Sequence, residues 1–216
     1  KMRKMKKAAI DEQVARVLNT VQLPDVQERF ASELSGGQQQ RIALARCFVY
    51  EPSIILMDEP LGALDKKLRD SLQREIKHLH DNLGITVIYV THDQEEAMVM
   101  SDRICLMNEG RIEQIGSPAD LYFQPNSIFA ADFLGESNLF AGKVIGQTET
   151  GISIQRVDDI VVSGVCDAEV RNGETTHYMI RPENIRVHSG ETNEDNLVEG
   201  KLKETIMMGQ LTKYFL

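Results

Sequence analysis

The chain has 216 residues, 42% of them hydrophobic, enough to bury one large core or two small ones. Its 33 acidic residues against 24 lysines and arginines leave a formal net charge of -9. That balance excludes a general nucleic-acid binder, because neutralising phosphates needs a basic excess. Cys47, Cys105 and Cys166 lie far apart without CxxC spacing, so neither a disulfide framework nor a zinc site is expected. No long apolar run could span a membrane, and the basic opening KMRKMKK lacks the apolar stretch of an export signal. That opening reads as a solvated helix face or loop.

Taken in chain order, Ile10, Val14, Val17 and Leu18 share one helical face, and Pro24 closes the segment. The stretch ELSGGQQQR at 33–41 follows, and a second helix is expected from Ser35 through Phe48, ending near Glu51 and Pro52. The compact apolar run at 53–57, bounded by Pro52 and Pro60, predicts a strand buried on both faces of a parallel sheet. Asp65 can cap a third helix in which Leu68, Leu72, Ile76, Leu79 and Leu83 recur on one face, stopping at Gly84. A second buried strand is expected at 86–90, then a polar turn and a helix at 94–100. This order predicts an α/β layer with right-handed crossovers. Residues 103–107 and 111–115 form a hairpin around Asn108, Glu109 and Gly110, and short helices are expected at 118–123 and 128–134. Beyond Gly135 the texture changes to short alternating segments at 152–154, 160–162, 177–180, 185–187 and 207–215, which predicts a small β domain.

Ser35 and Gln38 fit a capping box, but two adjacent glycines, Gly36 and Gly37, also clear side chains from a helix start whose amides and dipole suit an anion. Both readings can hold together. Asp58 and Glu59 end an apolar strand, where open α/β sheets place their ligands. Strand alternation would send the two acids to opposite sides, one toward a magnesium ion and one toward a water beside a phosphate. The plainer alternative is a solvated turn before Pro60. His92 ends the next strand at the same sheet edge, whereas His78, His80, His177 and His188 lack such a setting. No GxxxxGK[ST] phosphate loop occurs: Gly142-Lys143 and Gly200-Lys201 both lack a glycine five residues earlier.

Together LSGGQ at 34–38, IILMDEP at 54–60, LGALD at 61–65 and TH at 91–92 resemble the signature, Walker B, D-loop and switch histidine of ATP-binding cassette (ABC) transporter subunits. IRPENI at 180–185 resembles the OB-like accessory domain (TOBE) that follows the cassette in bacterial importers of polyamines, sugars and ferric iron. THDQEEA at 91–97 and ADFLGESN at 131–138 are most similar to the spermidine/putrescine importer branch.

The resemblance implies the C-terminal part of a P-loop NTPase of the ABC type: an α/β parallel sheet with a helical subdomain remnant at 1–34, the ATPase half at 35–138 and an OB-like TOBE domain at 139–216. It implies that the Walker A loop and base-stacking aromatic of such subunits precede Lys1, leaving this fragment without steady ATPase activity. Glu59 would polarise the attacking water, and His92 would sense the γ phosphate of ATP. Asp58 would hold Mg2+ through water, Asp65 would lie at the dimer interface, and Ser35, Gly36, Gly37 and Gln38 would act in trans on a neighbour's nucleotide. Implied partners are a second copy, two transmembrane permease subunits and, indirectly, a solute-binding protein, at the cytoplasmic face of the bacterial inner membrane. No nucleic-acid partner is implied. Sugar, ferric iron, opine or phosphonate import, a non-transport cassette ATPase acting on nucleic acid, and a β domain that binds a regulatory ligand are the alternatives.

Overall fold

A computed structural model describes residues 5–62, 66–148, 151–166, 169–188 and 196–216. The chain divides into two compact units, Lys1–Asp120 and Leu121–Leu216.

In the first unit, α1 (Lys7–Thr20) and α2 (Gly36–Phe48) precede β1 (Ile54–Asp58), α3 (Lys66–Leu83), β2 (Thr86–Val90) and α4 (Gln94–Met100). The hairpin β3 (Ile104–Asn108) and β4 (Arg111–Gly116) follows, turning at Glu109 and Gly110, both with left-handed backbone. Strands β1 and β2 run parallel, Leu56 pairing with Ile88 and Asp58 with Val90. One core joins Val17 and Leu18 of α1, Ala45 and Phe48 of α2, Ile55 and Met57 of β1, and Leu72 and Ile76 of α3.

That core covers one face of the parallel pair, which corrects the expectation of a strand buried on both sides. Along β1, Ile55 and Met57 are buried while Ile54, Leu56 and Asp58 are exposed; Leu56 is 75% accessible. Ile88 and Val90 of β2 lie exposed on the same side. An apolar run makes both faces of a strand suitable for burial. Which face is covered depends on what packs there, and the helices among the described residues supply only one layer.

In the second unit, α6 (Ile128–Phe133) leads into β5 (Asn138–Gln147), β6 (Gly151–Gln155), β7 (Val161–Val165) and β8 (Thr175–Ile180). A further helix, α5 (Pro118–Phe123), spans the division between the units. The four strands form one antiparallel sheet in the order β7-β6-β5-β8 around Val144, Ile152, Ile154 and Val162. Ten-residue β5, which has no counterpart in the short segments expected from sequence, is the central strand pairing with both β6 and β8. Gly142 is required there: a Cβ would stand 2.3 Å from Ile154 Cγ2 and 2.9 Å from the Gln155 carbonyl oxygen. The expected strand at 185–187 is absent; a 3-10 turn at Pro182–Asn184 and extended chain take its place. The segment at 207–215 is a hairpin, β9 (Glu204–Met208) and β10 (Leu211–Phe215), reversing at Gly209.

Arg181 organises the same unit. It is 2% accessible, and its guanidinium donates to the carbonyl oxygens of Tyr122, Ala131 and Glu136 and to Ser137 Oγ. It also lies over the Tyr122 ring at 4.0 Å. A planar fork with five donors suits four acceptors converging from different segments.

Candidate functional site

Asp58 is the last residue of β1 and pairs in register with Val90, the last of β2. Immediately beyond, Glu59 leaves the strand with φ of +44°, in the left-handed region that costs a non-glycine residue roughly 1–2 kcal/mol. Two hydrogen bonds hold it. The Glu59 N–H donates to the Val90 carbonyl at 2.9 Å, and the Gly62 N–H donates to the Glu59 carbonyl at 3.3 Å. Strand alternation therefore governs Asp58 but not Glu59, whose direction is set by this backbone turn. Uncommon backbone geometry of this kind clusters at functional sites.

The turn brings Glu59 Oε1 to 2.9 Å from His92 Nδ1, joining two residues 33 apart in sequence. The hydrogen bond to Glu59, reinforced by its negative charge, raises the His92 pKa above the ordinary histidine value. Both side chains are largely open to solvent, at 74% and 52%, so the contact contributes little to stability. What it contributes is geometry: a carboxylate and an imidazole aligned at the carboxyl end of a parallel strand pair.

Around Ser35 the capping expectation holds in full. Ser35 Oγ accepts from the Gln38 N–H at 3.4 Å, and Gln38 Oε1 accepts from the Ser35 N–H at 2.9 Å. Gln39 donates its side-chain amide to the Ala31 and Leu34 carbonyls, bracing the turn ahead of α2. Capping accounts for Ser35 and Gln38 but not for Gly36, where a Cβ would meet no atom within 4 Å. Ser35, Gly37 and Gln38, with the Arg41–Glu75 ion pair, border an open hollow of about 370 Å³.

The sequence-derived residues thus fall into two groups, Ser35 to Gln38 at the start of α2 and Asp58, Glu59 and His92 at the strand ends. Among the described residues no hydrogen bond or ion pair joins them. Asp65 lies outside the described residues. A magnesium ion takes one or two protein carboxylates and completes its shell with water and phosphate oxygens. Exposed Asp58 fits that role; no cluster of three or more acidic, histidine or cysteine side chains among the described residues would hold a metal unaided.

Sequence reasoning missed Glu96. It is 2% accessible and accepts hydrogen bonds from Tyr89 Oη and Thr91 Oγ1, both at 2.8 Å. Burial next to Glu96 pushes the Tyr89 phenol well above its ordinary range, burial being the larger cause. Glu96 follows the α4 cap Asp93 by three residues, a spacing that signals a helix start but not a buried acid.

A family model described as ABC transporter matches residues 1–62. Over 222 residues the chain is 40% identical to "Spermidine/putrescine import ATP-binding protein PotA" of Trichormus variabilis, covering 99% of this chain and 57% of that protein. The protein of the same name from Thermotoga maritima is 40% identical, covering 100% of this chain and 59% of the relative. The one from Rubrobacter xylanophilus is 44% identical, covering 97% of this chain and 55% of the relative. The chain therefore spans little more than half the length of these relatives. Among solved structures, cbiO1 from Clostridium perfringens, described as part of the ABC transporter complex cbiONQ, matches with a TM-score of 0.52 at 28% identity, covering 56% of this chain and 48% of that one. With four linked motifs, near-complete coverage by such relatives and a matching fold, the chain matches part of the ATP-binding subunits of the ABC transporter family.

Proposed function

We propose that this chain acts in ATP-driven solute import of the spermidine/putrescine type, as part of the subunit that hydrolyses the nucleotide. The Glu59–His92 contact at the strand ends carries this reading. With Oε1 engaged by His92, Glu59 keeps a second carboxylate oxygen to accept from a water and orient it toward a terminal phosphate. The raised pKa lets His92 keep its proton nearer neutrality than an ordinary histidine, so that it donates to Glu59 and places positive charge where phosphate charge gathers. Asp58 would hold Mg2+, which when bound neutralises phosphate charge.

Ser35, Gly36, Gly37 and Gln38 present a capped helix start to a phosphate held by a second copy, which accounts for the side-chain-free Gly36. Asp65 belongs to that dimer interface. The further partners are two permease subunits and, through them, a solute-binding protein, with the subunit at the cytoplasmic face of the membrane. No helix among the described residues is long and apolar enough to cross a membrane, which suits a subunit docked on permeases. Residues 139–216 serve as the TOBE domain. The spermidine/putrescine import named for the relatives favours polyamines as the solute.

The test joins to this chain the preceding segment of the Thermotoga maritima relative and measures ATP turnover and nucleotide binding. Glu59→Gln lowers turnover by roughly 100-fold or more, the scale of a general base, while ATP binding persists. Retained hydrolysis overturns the role of Glu59. Uptake of labelled spermidine by vesicles holding the assembled importer tests the solute.

A further inference from the structure

His92 stands in a turn that is itself tethered from below by a small polar cluster. Its preceding neighbour Thr91 donates through Oγ1 to Glu96 Oε2 at 2.8 Å, and the same Oγ1 accepts the Asp93 N–H at 3.0 Å. The following neighbour Asp93 accepts the Glu96 N–H through Oδ1 at 3.1 Å and pairs through Oδ2 with Arg69 Nη1 at 2.9 Å. Arg69 Nε lies 3.9 Å from Glu96 Oε1, and Tyr89 Oη donates to Glu96 Oε2. Of the two flanks of His92, Thr91 is therefore fixed to the buried Glu96 carboxylate and Asp93 to the Glu96 backbone amide and to Arg69, which attaches the cluster to α3. His92 itself is exposed, and the other contact holding it is with Glu59.

We propose that Glu96, acting with Thr91 and Arg69, is a positioning residue for His92: it fixes the turn at the end of β2 so that the imidazole meets the Glu59 carboxylate. This rests on the catalytic reading of Glu59 and His92 above. Three features support it. A buried carboxylate is costly unless it is paired, and here two hydroxyls donate to it while the Arg69 guanidinium supplies opposite charge at 3.9 Å. The groups around the carboxylate come from β2 (Tyr89), the turn itself (Thr91) and α3 (Arg69), so the cluster ties the turn to its neighbours rather than capping one element. Helix capping of α4 uses Asp93 Oδ1 and leaves the buried Glu96 side chain unexplained.

The groups that bear on His92 are Glu59 across the sheet edge and Asp93 and Glu96 from α4 and its cap. The experiment follows the His92 ring by NMR against pH in the labelled 216-residue chain, together with hydrogen exchange of the Asp93 amide. Thr91→Val cuts the tether without changing charge. It is expected to lower the His92 midpoint toward the ordinary value of about 6.5 and to speed Asp93 exchange at least tenfold. Thr91→Ser restores the hydroxyl and returns both to the wild-type values, and Glu96→Gln lowers the midpoint as Thr91→Val does. A Thr91→Val chain that stays folded, loses global stability, but keeps the wild-type His92 midpoint and Asp93 exchange overturns the proposal. Should Glu96→Gln fail to fold, the Thr91 pair decides alone. Glu59→Gln separates the two levels. If it leaves the His92 midpoint unmoved, the Glu59–His92 contact itself is wrong and the inference falls with it. If it lowers the midpoint while Thr91→Val does not, only the positioning role falls.

Discussion

At the scale of single residues, the site depends on one exposed hydrogen bond and the backbone that aims it. The folded His92 pKa lies above its unfolded value, so the Glu59 contact stabilises the fold at pH below the unfolded value near 6.5. That contribution disappears as pH rises through the folded value. His92→Ala is accordingly expected to lower the urea unfolding midpoint more at about pH 5.5 than at about pH 9. Equal losses at both pH values would contradict the contact. That Asp58, Glu59 and His92 share one edge of the parallel pair was legible from their places near strand ends. The direction of Glu59 was not, because a left-handed residue after a strand escapes the two-residue period on which the expectation relied. Glu96 was illegible for a related reason: an acid in the first turn of a helix is ordinarily solvent-facing, and only the arrival of Tyr89 and Thr91 made it buried.

At the scale of elements, the helices formed where periodicity placed them, and α2 starts at the capping box read from Ser35 and Gln38. The strands are more instructive. Adjacent residues of β1 have opposite fates, Met57 at 6% accessibility and Leu56 at 75%. Met57→Ala is expected to cost about 2–5 kcal/mol through lost burial and a cavity. Leu56→Ala stays within about 0.5 kcal/mol, both measured by urea denaturation. Comparable costs would mean that the outer face is covered in solution. An apolar strand composition reports that burial is permitted, not that it occurs, and for that reason the two-sided expectation failed here. Likewise β5 went unread because Ala141 and Gly142 weaken the apolar alternation, although Gly142 is what allows Ile154 to pack across it.

At the scale of the whole molecule, each unit has a core of its own, centred on Leu72 and Ile76 in the first and on Val144 and Ile154 in the second. Asp58 and Glu59 are present at the strand end, but the 216 residues contain no GxxxxGK[ST] loop to wrap phosphates. Because positioning supplies much of the rate enhancement in phosphoryl transfer, the 216-residue chain is expected to release no phosphate from ATP above background. Turnover on the order of 1 s⁻¹ in a phosphate-release assay would refute that. By itself the sequence determined the capped start of α2, the hairpin turn at 108–110, the acidic pair at the end of β1 and the family it resembles. These follow from chemistry within a few neighbouring positions. Only the tertiary structure decided which face of β1 is covered, that Glu59 meets His92 across 33 residues, and that Glu96 holds Thr91 in a buried cluster. Burial and pairing belong to groups brought together by the fold, and no local pattern encodes which distant side chain arrives.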